Sequence, residues 1–192
     1  MVTWYLLGLA ALGVERLVEL AISRRNAALA LARGGIEVGR GHFRVMALVH
    51  AAFLAACAAE VIGLHRRVVP ALAIPMVVVA LLAQVLRYWA IATLGRRWNV
   101  RVIVEPGAPV VARGPYRWVR HPNYTAVVLE GITVPLAGGA WLTAIAFTLA
   151  NAMLLTVRIA CEERALADYC RGAERLRAHP RFVPRWRSAP EG

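Results

Sequence analysis

Two short stretches of this chain hold residue types that could do chemistry. The first is Gly114-Pro115-Tyr116-Arg117-Trp118-Val119-Arg120-His121-Pro122-Asn123-Tyr124. Pro122 restricts His121 to an extended backbone, and Asn123 suits the N-cap of a following helix. A helix N-terminus gathers unpaired N–H groups and the positive end of the helix dipole, so it favours an anionic group such as a carboxylate. The second stretch is Arg158-Ile159-Ala160-Cys161-Glu162-Glu163. Arg158 and Glu162 are four apart and share a helix face. Spacing alone reads that pair as a helix salt bridge at a surface. A third candidate is Glu130, an ionisable group inside an apolar segment. Such a group is a functional candidate by default, with pairing to Arg87 as the structural alternative.

The elements that must position these residues are apolar. Of 192 residues, 59% are hydrophobic, against about 45–50% in an ordinary soluble domain. The surplus lies in long stretches, the mark of transmembrane helices, and the length suits one domain. The net charge is +12, and every basic residue is Arg. A strong positive charge could point to nucleic acid. Here the arginines lie between apolar segments, where juxtamembrane charges belong, so no nucleic-acid partner is expected. Cys57, Cys161 and Cys170 form no CxxC and show no metal-ligand spacing, so neither a disulfide framework nor a metal site is expected. The stretch Met1-Val2-Thr3-Trp4 lacks the basic residues of a signal peptide and is predicted to open the first retained span.

Five apolar segments are predicted, at residues 2–22, 45–64, 68–94, 125–136 and 140–157. The first carries Glu15, Arg16 and Glu19. Glu15 and Glu19 share a face near Arg24-Arg25, and interfacial pairing with those arginines is expected beside a functional role. The second contains His50, Cys57 and Glu60, and the third contains Pro75, where loss of a hydrogen bond predicts a kink. The fourth covers only about 18 Å of a hydrocarbon core about 30 Å thick. With Ala137-Gly138-Gly139 after it, it reads with the fifth as a tight helical hairpin shielded by other helices. Residues 95–123 are too long for a turn and rich in Gly, Pro and Arg, which reads as a functional loop. Trp89, Trp98, Trp118 and Trp141 are expected as interfacial anchors, and the basic tail 171–187, with Trp186, is expected to meet anionic lipid. The loops 23–44 and 95–123 and the tail from Arg158 hold nineteen arginines; the link at Arg66-Arg67 holds two. The positive-inside rule then puts the N-terminus outside and both candidate stretches in the cytoplasm.

The motifs carry a resemblance. Gly114-Pro115-Tyr116, Arg120-His121-Pro122-Asn123-Tyr124 and Arg158 followed by Glu162-Glu163 resemble the isoprenylcysteine carboxyl methyltransferase family over about residues 99–169. The N-terminal half, from Glu19 to Arg44 with Gly34-Gly35, resembles a bacterial branch, some members of which are linked to O-methylation of alkylresorcinols or alkylpyrones. The resemblance implies an all-α integral membrane protein of the cytoplasmic membrane, with S-adenosylmethionine bound in a cytoplasmic pocket. It implies backbone contacts to the cofactor from Ala108, Pro109, Val110 and Val111. It also implies that Tyr116, His121, Pro122, Asn123 and Tyr124 line that pocket, that Glu162, with Glu163 beside it, contacts the cofactor, and that Arg158 faces the methyl acceptor. Ala108 and Ala126 depart from the family, which often has His and Gly there.

Elementary chemistry agrees. Methyl transfer from a sulfonium needs alignment and exclusion of water. A carboxylate acceptor needs no base, and Arg158 could orient it. A phenol ionises near pH 10, so it needs Arg158 to stabilise the phenolate, or a carboxylate such as Glu130, or His121, to take the proton. The expected function is O-methylation of a lipophilic small molecule drawn from the membrane lipid phase, either a prenylcysteine carboxylate or a long-chain phenol or pyrone. Phospholipid N-methylation, a membrane reductase using NADPH, and a non-catalytic scaffold remain the alternatives.

Overall fold

The computed structural model describes residues 1–183; Trp186, assigned to the lipid-facing tail, lies outside them. Five long helices dominate: α1 (Val2–Ala32), α2 (Arg40–Gly63), α3 (Pro70–Leu94), α4 (Pro122–Gly138) and α5 (Trp141–Tyr169), with a short α6 (Ala173–Arg177) after them. Helices α2, α3 and α5 are long and apolar enough to cross a membrane. All-α needs one correction. Strands β1 (Ile36–Val38) and β2 (Val102–Val104) pair antiparallel, with Glu37 opposite Ile103. Three-residue strands carry too little alternation to be seen in sequence, and these pack on Ala165 and Leu166 of α5.

The helix limits follow local chemistry. Helix α1 runs ten residues past its expected end, because Asn26 to Ala32 contains no breaker. Gly34 and Gly39, both at positive φ, then turn the chain through β1 into α2. Helix α3 continues through Pro75. Helix α4 begins earlier and ends later than the apolar pattern, giving 17 residues and about 26 Å, rather than about 18 Å. Its N-cap is His121 rather than Asn123, since Pro122 takes the first helical position, where it lacks no needed N–H. Only Gly139 and Ala140 separate α4 from α5, yet the main neighbour of α4 is α3. At Gly131 an added Cβ would lie 2.5 Å from the Phe147 ring of α5, so the close approach of the two helices requires glycine.

The bundle is apolar outside and polar inside. Leu7, Leu17, Ile74, Leu81, Ile145 and Met153 are exposed, while Glu19, Glu60, Arg87, Glu130, Asn151 and Arg158 are buried. Water-soluble folds arrange these types the other way round. Every buried charge has partners. Arg87 donates to both oxygens of Glu19 at 2.6 Å, and Arg16 donates to Glu19 at 2.7 Å. Arg16 also lies 3.5 Å from Glu130, and Gln84 joins Glu15 to Arg16. The expected pairing of Glu15 and Glu19 with Arg24-Arg25 is therefore replaced by a network across α1, α3 and α4. Both carboxylates lie on the face of α1 turned toward the bundle, where Arg87 can reach them.

Glu60 ties α2 to α5. Its carboxylate accepts from the Leu142 and Thr143 amides at 3.2 and 2.8 Å, from the Thr143 hydroxyl at 2.8 Å, and from Arg66. It thereby caps a helix to which it does not belong, neutralising the N-terminal N–H groups of α5. At the other end of the bundle, Arg101 holds Glu37 through both its oxygens. These hydrogen bonds keep the Glu37 carboxyl below the ordinary carboxylate range.

Two outcomes are expected. Glu60→Ala leaves two amides and Arg66 unpaired and should cost about 2–3 kcal/mol, read as a lower thermal midpoint in detergent. A depressed carboxyl stabilises the fold above its usual range and ceases to do so once acid protonates it. The wild type should therefore lose up to about 1 kcal/mol on acidification through and below the ordinary carboxylate range, a small figure because Arg101 is partly exposed. Glu37→Gln should remove that part of the acid dependence.

Candidate active site

The functional loop, the start of α4 and the end of α5 converge on a cavity of about 510 Å³. The loop is fixed first. Ser23 and Asn26 on α1 bond Asn99, Val100 and Trp98. Trp98, expected as an interfacial anchor, is instead 3% exposed, because these bonds draw its backbone against α1. Trp89, Trp118 and Trp141 are exposed as anchors would be. Farther along, the loop zips onto the chain after α5. Arg171 N–H donates to the Ala108 carbonyl and the Val110 N–H donates to the Arg171 carbonyl, both at 3.0 Å. Arg97 donates to the Pro109 carbonyl, and the Ala108 N–H is used by Glu105. Of the backbone groups at 108–111, this leaves the Val110 carbonyl and the two polar groups of Val111 without a partner among the described residues.

Arg158 is 4% exposed. Its Nε donates to the Tyr124 hydroxyl at 2.7 Å and its Nη2 to the Val100 carbonyl at 2.6 Å. The Tyr124 hydroxyl in turn donates to Glu162. The direct Arg158–Glu162 salt bridge expected from spacing is thus replaced by a three-part chain with tyrosine at its centre. Tyr124 enters from α4 and completes both partners in one contact. The Nη1 of Arg158 has no partner among the described residues, and Arg158, Tyr124 and Glu162 all border the cavity.

His121 stacks on Tyr124, with ring centroids 5.3 Å apart. Its Nε2 lies 3.0 Å from Glu163. Glu163 also accepts from Arg120 at 2.8 Å and from Arg181 at 2.8 Å. The tail continues this clasp, since the Arg120 and His121 N–H groups donate to the carbonyls of Pro180 and Arg181. Glu163 and Pro122 therefore fall outside the expected pocket lining. Glu163 is occupied by three cationic or polar partners, and Pro122 is packed inside the turn. Ala108, Pro109, Val110, Val111, Tyr116, His121, Asn123, Tyr124 and Glu162 do border the cavity. At the start of α4, the Tyr124 and Thr125 N–H groups are spent on the His121 carbonyl. The Asn123 Oδ1 is buried without a partner among the described residues.

Glu130 does not border the cavity either. Its ion-pair neighbour is Arg16 rather than Arg87, whose Nε and Nη2 are bonded to Glu19. Sequence reasoning missed His50, whose ring edge meets Phe147 and which borders the cavity from α2. The rule that singled out Glu130, an ionisable group inside a span, applies equally to His50. It also missed Val100, Arg171 and Arg181, whose roles depend on long-range backbone contacts.

The comparisons with known proteins point one way. The model of the isoprenylcysteine carboxyl methyltransferase family matches residues 75–168, which include the loop, α4 and most of α5. The chain is 37% identical over 166 residues to the uncharacterised protein YpbQ of Bacillus subtilis, covering 86% of this chain and 97% of that protein. It is 27% identical over 157 residues to an uncharacterised protein of Haemophilus influenzae, covering 79% and 88%. With apolar spanning helices around a buried Arg158–Tyr124–Glu162 chain, this protein is an integral membrane member of the isoprenylcysteine carboxyl methyltransferase family.

Proposed function

We propose that this protein transfers a methyl group from S-adenosylmethionine to an oxygen of a lipophilic acceptor taken from the bilayer. The observation that carries the proposal is the chain Arg158–Tyr124–Glu162 on a cavity wall. It sets a cation and a carboxylate a fixed distance apart, with Arg158 and Tyr124 both buried. The cofactor supplies an electrophilic methyl group on a positively charged sulfur. The residues present suit it. Glu162 and the Asn123 Oδ1, which has no partner among the described residues, are acceptors for its ammonium or ribose hydroxyls, and the Val111 N–H, likewise without a partner among the described residues, is a donor.

Arg158 is assigned to the acceptor. Two of its nitrogens are held by Tyr124 and Val100, so its remaining Nη1 is aimed without further loss of side-chain entropy. A guanidinium held in this way orients an oxygen nucleophile and stabilises negative charge on it. An amine acceptor would gain nothing from it. The apolar cavity wall from α1 and α2, with Leu17, Leu20, Ala47 and Leu54, suits a hydrocarbon chain. The resemblance of the N-terminal half favours a long-chain phenol or pyrone hydroxyl over a prenylcysteine. The reading takes the chain to cross with five segments and its N-terminus outside, an arrangement that has the site in the cytoplasm beside the cofactor supply.

Calorimetric titration of the detergent-purified protein with S-adenosylhomocysteine should give saturable binding, with none for NADPH. Glu162→Ala should weaken that binding at least tenfold, about 1.4 kcal/mol. Binding of NADPH in place of the thioether would overturn the reading. Arg158→Lys cannot reach both Tyr124 and Val100. It should keep S-adenosylhomocysteine binding but lower methyl transfer about tenfold to a thousandfold; unchanged transfer would remove Arg158 from the acceptor site.

A further inference from the structure

An oxygen acceptor that carries a proton must lose it, and the cavity wall offers few groups able to take it. Glu130 lies off the cavity, in contact with Arg16. Both oxygens of Glu19 are bonded to guanidinium groups. Glu162 is engaged by Tyr124. The His121 Nε2 is bonded to Glu163, which leaves its Nδ1 as the rival acceptor on the cavity wall. His50 is the second histidine there. Its Nδ1 sits 2.9 Å from the Met46 carbonyl oxygen, one turn back on α2. A carbonyl only accepts, so Nδ1 carries the ring proton and Nε2 keeps its lone pair. Nε2 has no partner among the described residues, and His50 borders the same cavity as Arg158. The Phe147 ring, 5.3 Å away and nearly perpendicular, fixes the imidazole plane.

We propose that the Nε2 of His50 is the proton acceptor for a hydroxyl group of the lipid substrate, an assignment that rests on the methyltransferase reading above. The hydroxyl O–H bond breaks and its proton goes to Nε2. The oxygen electron pair forms the new O–CH3 bond, and the pair of the breaking C–S bond stays on sulfur, giving the neutral thioether. The proton then passes from Nε2 to solvent. The charged groups facing His50 are Arg16 from α1, Arg87 from α3 and Arg158 from α5; α4 presents only Glu130, which Arg16 holds. Arg16 and Arg87 are paired with Glu19 and Glu130, so Arg158, whose Nη1 has no partner among the described residues, is the guanidinium left to favour an oxyanion. A carboxylate substrate, already ionised, would leave His50 without a task.

The test uses the full chain in lipid nanodiscs as wild type, His50→Gln and His121→Gln. Pentadecylphenol and palmitic acid serve as acceptors over about pH 6–10, bracketing phenol ionisation. Binding of S-adenosylhomocysteine is measured by calorimetry, and phenolate formation on the bound phenol by ultraviolet absorbance with S-adenosylhomocysteine present. His50→Gln should bind S-adenosylhomocysteine as the wild type does. It should lose about a hundredfold to ten-thousandfold in kcat on the phenol, with the deficit shrinking toward high pH as the phenol ionises unaided. Any transfer to palmitic acid should be unchanged. The phenolate band should appear at lower pH in the wild type than in the variant. Retained phenol turnover in His50→Gln, equal loss on both acceptors, or the same pH signature in His121→Gln would overturn the assignment. A wild type that binds S-adenosylhomocysteine but methylates neither acceptor would overturn the oxygen-transfer reading itself, and the role of His50 with it.

Discussion

A charge withdrawn from water must find an opposite charge or a hydrogen bond, and in this protein hydrocarbon-facing residues enclose the charges on the outside. That constraint organises the rest. Glu19 cannot sit inside the bundle without Arg87 and Arg16, so α1 is held against α3 at one height and one rotation. Glu130 then follows Arg16, fixing α4 to the same level. Glu60 does the equivalent work at the far end by capping α5. Packing adds shape, through Gly131 against Phe147 and Phe53 against Phe147 at 4.1 Å, but the ions determine register.

The same constraint singles out the site. Most interior polar groups are consumed by one another; among the described residues, the cavity wall keeps unpaired atoms at Arg158 Nη1, Asn123 Oδ1, His50 Nε2, Arg87 Nη1, Arg120 Nε and the backbone of Val110 and Val111. Tyr124 has a particular place among them. One hydroxyl serves as acceptor for Arg158 and donor to Glu162, so helix α4 and helix α5 cannot shift relative to each other without breaking both bonds together.

Sequence revealed whatever a single segment or a short motif encodes. The apolar segments, the loop and the groups at 114–124 and 158–163 were legible because each is local. Arg158 and Glu162 were correctly put on one face, but spacing could not show that Tyr124 lies between them, since that depends on how α4 docks on α5. Glu163 and Glu162 are adjacent and chemically identical; only the side of the helix that meets Arg181 separates a clasp residue from a cavity residue. The partners of Glu15 and Glu19 were misread for a related reason. Arg24 and Arg25 are near in sequence, whereas Arg87 is 68 residues away from Glu19. The strands escaped notice because three residues of β1 gain their meaning only from β2.

The clasp at Glu163 separates two events in the life of this molecule. The long helices are joined to one another by apolar packing and internal ion pairs that do not involve the tail. The His121 turn, however, is bonded through Arg120 and His121 to Pro180 and Arg181, some sixty residues downstream. Arriving in the membrane and becoming competent are therefore distinct. A chain nicked between α5 and Pro180 would still look correctly inserted by every measure of topology, while the wall of its cavity had lost its latch.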